Sequence, residues 1–275
     1  MPTTAQLLLL VAAIALFAVG GALSVARLWR DRAEQDDRRL RVASRSCLGL
    51  GIVTCVALLA WHSASRRQWL PVGDNFDALI WLATLLAMFT LYVQRHHRLG
   101  ALDWFVMPLV ILMLVIAAIF GRTDYHAYHP LVGGTWSWVH RVTAYGGAVA
   151  FAIAAACGAM YVWTSGRLRL KQAVGPQFGS LERLEHLTMV SVTLGFALLT
   201  LGMITGGVDM VARGKHTPTP KIILAVVVWL IYAVVLHAPI NPSFRGRKVA
   251  VLSMIGFVLM LGTIVAVLMM PGGMS

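Results

Sequence analysis

The chain has 275 residues, 59% of them hydrophobic and only 12% charged, with a formal net charge of +12. Soluble domains are about half apolar and about a quarter charged. With a mean hydropathy of +0.76, this balance excludes a soluble fold and leaves an all-α, polytopic integral membrane protein whose first partner is membrane lipid. A nucleic-acid partner is not expected, because the basic residues fall in short loops between apolar spans.

Eight stretches are each long enough to cross about 30 Å of hydrocarbon at about 1.5 Å per residue. They run roughly over 5–27, 46–63, 76–94, 103–121, 136–163, 187–207, 221–238 and 248–270. The first sits where a signal peptide would. It is long, lacks a basic n-region and leads into Arg27–Arg45, so it reads as a retained helix. The odd loops hold sixteen Lys and Arg, against six in the even loops. The positive-inside rule then places the odd loops in the cytoplasm and both termini outside. The location that follows is the cell's inner (plasma) membrane, crossed many times.

No long soluble insertion interrupts the spans, so 1–275 is expected to form a single membrane domain. The fifth loop contains a basic turn around Gly175-Pro176 and then a short surface helix starting near Glu182 and Glu185. The pairs Gly20-Gly21, Gly146-Gly147 and Gly206-Gly207 read as close-packing positions between helices. No phosphate-binding glycine loop is present. Cys47, Cys55 and Cys157 lie in apolar spans without a C-x-x-C, which gives small helix residues rather than a redox motif. Asp77 and Asp103 fall at span ends, so an ion-coupled transporter with a buried acid chain is not supported.

Histidine carries the chemistry. His96, His97 and His186 fall beside arginines at the inner surface, and His126 and His129 sit in an outer loop ending at Pro130. His216 lies in the outer loop between spans six and seven. Three histidines are at or inside span edges: His62 after Trp61 at the outer end of span two, His140 one turn into span five, and His237 at the inner end of span seven. An ionisable group there is a functional candidate, and neutral imidazole is a common axial ligand of haem iron. His62 and His140 are expected at the same outer level, with His237 nearly a membrane thickness away. Trp136 and Trp138 precede His140, and Arg66, Arg67 and Arg141 lie at the same outer level. Each histidine alone is more often an imidazole bonded to a backbone carbonyl.

From span five onward the sequence resembles the cytochrome c assembly family of CcsA and HemX type proteins, closest in size to its eight-helix HemX and YpjD-like members. The resemblance lies in WVHRVTAYGGAVAFAIAAACGAMYVW, then LERLEHLTMVSVTLGFALLTLGMITGG, then PKIILAVVVWLIYAVVLH and FRGRKVAVLSMIGF. It makes 136–270 an assembly-like core and 1–121 a family-variable half. It implies haem handling for cytochrome c maturation, with non-covalent haem b as cofactor. Apocytochrome c or other assembly proteins are the implied partners. Holding or presenting haem at the outer face is the implied role, rather than enzymatic turnover; the alternative is a HemX-like scaffold that tunes haem biosynthesis or an assembly complex.

Carried over by position, His140 takes a flanking haem-ligand place, His237 the inner one, and Pro220-Lys221 the end of a Trp-rich motif. The sequence departs from that pattern in two places. Its loop VDMVARGKHTPTP has no Trp, with Thr219 in place of an Asp, and Met274 stands near where a second flanking histidine belongs. His216, or His62 with Trp136 and Trp138 as an aromatic wall, are the expected replacements.

Overall fold

The computed structural model describes residues 4–29, 34–65, 75–96, 101–120, 134–175, 178–212, 219–237 and 246–269. Eight α-helices occupy them: α1 Thr4–Trp29, α2 Glu34–Ser65, α3 Asn75–His96, α4 Leu102–Phe120, α5 Gly134–Arg169, α6 Leu181–Ala212, α7 Thr219–Leu236 and α8 Arg247–Met269. No strand occurs among the described residues. Seven of the helices are long and apolar enough to cross a membrane. The apolar part of α7, Ile222–Leu236, is shorter.

All eight expected spans are helices, but several run past the expected ends. α2 begins at Glu34 and takes in Arg38, Arg39, Arg41 and Arg45. α5 continues through Arg167 to Arg169. Residues 181–186, expected as a separate surface helix, are the opening turns of the 32-residue α6. The reason is local. Arg, Glu and Leu are good helix formers, and no Gly or Pro separates Glu182 from the apolar run, so the hydrogen-bond ladder continues through the charged turns. Hydropathy marks where the hydrocarbon ends, not where the helix ends.

The chain forms two compact units, one of residues 1–125 with 172–180 and one of 126–171 with 181–275. In the first unit α1 packs on α2, α2 on α3, α3 on α4 and α4 back on α1. Every one of these pairs is antiparallel. Thus Gly20 faces Cys47 while Gly51 faces Phe17, and Gly21 faces Met107 while Ser24 bonds Asp103. The second unit closes the same ring with α5, α6, α7 and α8.

Lipid tails are as apolar as leucine, so helices in a membrane associate through close packing and buried polar contacts rather than through hydrophobic exclusion. Both devices occur here. A Cβ added to Gly20 would lie 3.2 Å from Cys47 Cβ, to Gly146 3.1 Å from Leu198 Cδ1, and to Gly147 3.3 Å from the Gly195 carbonyl oxygen. The glycine pairs are therefore packing positions as expected, except that Gly207 has nothing within 4 Å. In the second unit Phe151 of α5 and Tyr232 of α7 stack with centroids 3.6 Å apart and planes 9° from parallel. Gly195 on α6 and Gly256 on α8 close over the two rings, so all four helices meet at this pair. Cys55 and Cys157 are buried and Cys47 half-buried, all three as free thiols inside the helix packing.

Candidate functional site

α2 turns one seam toward the interior of its unit. Ser44, Leu48, Gly51, Cys55, Leu58 and His62 recur at alternating spacings of four and three, and all are buried. That is the period of an inward helix stripe. His62 is its last member, 1% exposed, whereas the adjacent Trp61 is 50% exposed. The antiparallel α3 begins at this level, with Phe76 and Asp77 in its first turn, both fully buried. The His62 and Phe76 rings lie 5.3 Å apart. His62 Nδ1 and Asp77 Oδ1 are 2.6 Å apart.

The partner fixes the tautomer. Between a carboxylate and a neutral imidazole the carboxylate only accepts, so Nδ1 donates and the lone pair is on Nε2. That Nε2 is buried and has no hydrogen-bond partner. Leaving a buried polar atom unmatched costs about 1–3 kcal/mol. A carboxylate behind one imidazole nitrogen, with the other nitrogen open, is the arrangement that orients metal-ligating histidines. The residues at this position therefore fit an axial iron ligand.

His140 is set similarly but by a backbone group. It is half-buried on α5, and its Nδ1 donates to the Gly202 carbonyl oxygen of α6 at 2.7 Å. The ring rests on Gly206, where an added Cβ would lie 2.8 Å from both Cε1 and Nδ1. Gly202 and Gly206 form a G-x-x-x-G step, and the groove they leave in α6 seats the imidazole. With the proton on Nδ1, the Nε2 lone pair again faces away from the helix contact. Trp136 precedes His140 by four residues and shares its stripe. Trp138 lies two residues before it, about 160° round the helix. Trp136 and Trp138 are 47% and 38% exposed.

His237 is exposed at the end of α7, and its Nδ1 donates to the Ala233 carbonyl oxygen of its own helix at 2.8 Å. His186 is exposed in the first turns of α6. His216, His126, His129, Arg66, Arg67 and Met274 lie outside the described residues. His62 belongs to the first unit, and His140 and His237 to the second. Among the described residues no group of three or more His, Cys, Asp or Glu could hold a bare metal ion. A macrocycle that supplies its own equatorial nitrogens asks the protein for only one or two axial ligands.

Sequence reasoning passed over the two acids. Asp77 backs His62. Asp103, 1% exposed at the start of α4, accepts from Ser24 Oγ of α1 at 2.5 Å and from Gln94 Nε2 of α3 at 2.6 Å. Arg45 of α2 donates to the Gln94 carbonyl oxygen, so the network ties all four helices of the unit. Arg27 and Arg45 supply the opposite charge near the Asp103 carboxylate. An acid in the first turn of a helix suits the helix dipole, and that ordinary role masked both residues. The available signal was the pairing of ends. In an antiparallel hairpin the last turn of α2 and the first turn of α3 share one level, which brings His62 to Asp77.

The fold is thus that of a multi-pass helical membrane protein, with a buried imidazole nitrogen left unpartnered near the end of α2. Residues 72–273 match the family model described as Cytochrome C assembly protein. Two relatives align over most of their length, each bearing the name cytochrome c biogenesis protein CcsA. The protein of Mesostigma viride is 21% identical over 236 residues, covering 76% of each chain. That of Prochlorococcus marinus strain MIT 9312 is 24% identical over 236 residues, covering 76% of this chain and 75% of its own. A shorter match, 40% identical over 78 residues, is to the CcsA protein of Thermosynechococcus vestitus. The chain belongs to the cytochrome c assembly protein family, and it is a multi-pass membrane factor of cytochrome c biogenesis. The match begins before α3 and includes Asp77, so it reaches beyond the α5–α8 region that carried the resemblance in the sequence.

Proposed function

We propose that this protein holds haem b non-covalently and presents it at the outer face of the plasma membrane for attachment to apocytochrome c. His62 and His140 are the axial-ligand candidates. The observation that carries the reading is the buried Nε2 of His62, unpartnered while Nδ1 is committed to Asp77. A core histidine kept only for packing would have both nitrogens satisfied. The second support is His140, whose ring is fixed in the same tautomer by Gly202 and seated by Gly206. His237, exposed just after α7, is the inner-end candidate that the family resemblance implies.

Bound haem supplies the vinyl groups to which the thiols of an apocytochrome attach. The chain's own residues orient and protect. In the first unit Asp77 holds the His62 imidazole in the ligating tautomer and Phe76 covers one side of that ring; in the second, Gly206 leaves room for the His140 imidazole. Trp136, on the His140 stripe, offers an exposed aromatic face. Arg141 is placed one residue on and supplies positive charge for propionates. His216 and Trp138 remain secondary candidates from the sequence.

The test is an absorption spectrum of the purified full-length protein. Haem with a Soret band that is lost or shifted in His62→Ala or His140→Ala supports the reading. A protein without haem that also fails to take up added haem overturns it, and a scaffold role in the assembly complex then stands in its place.

A further inference from the structure

At the other end of the second unit, α5 and α8 flank an open cavity of about 820 Å³ lined by Tyr161, Ser165 and Arg169 on one side and Gly246, Arg247, Lys248, Val251 and Leu252 on the other. Gly246 lets the start of α8 approach Tyr161 closely. It adopts φ +68°, which L side chains avoid, and an added Cβ would lie 2.7 Å from the Tyr161 hydroxyl oxygen. Its N–H donates to Glu185 Oε1 of α6 at 3.1 Å, which fixes where α8 starts. Glu185 adds one negative charge beside Tyr161, against three cationic side chains that the cavity wall carries from two helices.

The chemistry of the wall is graded. Arg169, Arg247 and Lys248 are exposed at the helix ends, with the hydroxyls of Tyr161 and Ser165 half-buried beneath them. Val251 and Leu252 follow on α8, and Val251, Ile255 and Val258 continue as one exposed apolar stripe at spacings of four and three. A polar, cationic mouth over an apolar track is complementary to a molecule with a phosphate at one end and a hydrocarbon chain at the other. Arg offers paired donors to phosphate oxygens, and basic pockets between membrane helices take anionic lipid headgroups. The positive-inside expectation puts this end at the cytoplasmic leaflet, where anionic lipid gives a negative surface.

We infer that the α5–α8 cavity binds the phosphate of an anionic phospholipid headgroup, with an acyl chain along Val251, Ile255 and Val258. This inference is independent of haem. The test uses full-length protein in detergent, given phosphatidylglycerol, phosphatidylcholine or inorganic phosphate, and reads retained lipid by native mass spectrometry and the thermal unfolding midpoint.

Phosphatidylglycerol is expected to stay bound and raise the midpoint, with phosphatidylcholine weaker. Retention falls about fivefold for each cation removed in Arg169→Gln and Arg247→Gln. The exposed Lys248→Gln gives the same graded loss should the double variant fold poorly. Arg38→Gln with Arg39→Gln removes equal charge elsewhere and leaves retention unchanged. Equal retention in the pocket variants and this control overturns the site. Stabilisation by inorganic phosphate alone, with nothing added by phosphatidylglycerol, overturns the lipid and assigns the cavity to a free phosphate.

Discussion

Asp77→Asn tests the link between the buried hydrogen bond and haem binding most directly. The wild-type contact is 2.6 Å between His62 Nδ1 and Asp77 Oδ1, with both residues shielded from solvent. Asparagine keeps the size but removes the charge and offers an amide that can turn either way. With its oxygen toward Nδ1, the imidazole keeps the ligating tautomer but becomes a weaker donor to iron. With its nitrogen toward Nδ1, the proton moves to Nε2 and ligation is lost. Removal of such a supporting partner lowers metal affinity about 10–100-fold, which is about 1.4–2.8 kcal/mol.

Asp77→Ala is harsher. It strands the Nδ1–H without a partner in a dry site, at about 1–3 kcal/mol of fold stability, so it lowers the thermal midpoint of haem-free protein as well. The assay is a haem titration followed at the Soret band, run beside thermal unfolding of the haem-free protein in the same detergent. Asp77→Asn is expected to weaken haem binding much more than it changes the midpoint. Unchanged haem affinity in Asp77→Asn, alongside lost binding in His62→Ala, would refute the positioning role. Unchanged affinity in both removes His62 from the ligand set.

Gly206→Ala should force the His140 ring off its seat, since the new Cβ would lie 2.8 Å from Cε1 and Nδ1. The expected cost is about 1–3 kcal/mol of overpacking, with a Soret change, and most of that cost should disappear in a His140→Ala background, as double-variant unfolding would show. Gly195→Ala places a Cβ 2.6 Å from Phe151 Cε1 under the Phe151–Tyr232 stack. It should lower the midpoint by a comparable amount, whereas Tyr232→Phe, which loses only the hydroxyl bond to the Ser253 carbonyl oxygen, should cost about 0.5–1.5 kcal/mol; equal midpoints for the two variants would contradict the packing account. Asp103→Ala deprives Ser24 and Gln94 of their acceptor, so we expect loss of about 1–3 kcal/mol, read as a lowered midpoint. For the topology, alkaline phosphatase fused after α8 should be active and fused within residues 172–180 inactive; the reverse pattern would invert the orientation drawn from the arginine distribution.

How legible each feature was depends on which direction of the structure sets it. Position along the membrane normal is written in hydropathy, and all eight helices follow from it. Helix ends are not, because residues 34–45, 164–169 and 181–186 are polar but have the propensity to continue a helix. The angle around a helix is written in the spacing of small and apolar residues, and there the sequence was only partly used. Gly146, Gly147 and Gly206 announced contact surfaces, yet nothing in the sequence names Leu198 or His140 as what they meet. The seam from Ser44 to His62 was readable as a four-three repeat, and it already turns His62 inward while Trp61 faces out.

His140, like His62, was found as an imidazole at a span edge, and the resemblance picked it out again. It sits in a stretch whose whole pattern resembles a known family, so its neighbours identified it. Around His62 only the Trp61-His62 position and the hydropathy matched, and Asp77 stood only as an acid at a span end. Combining level with angle resolves the pair. A buried seam that ends in an imidazole, followed by a short connection and an acid in the first turn of the next helix, leaves the acid almost nowhere to go but that imidazole. Burial then decides their character. A polar group this far from water needs a partner, so Asp77 meets Nδ1, and the unmatched atom of the pair is Nε2.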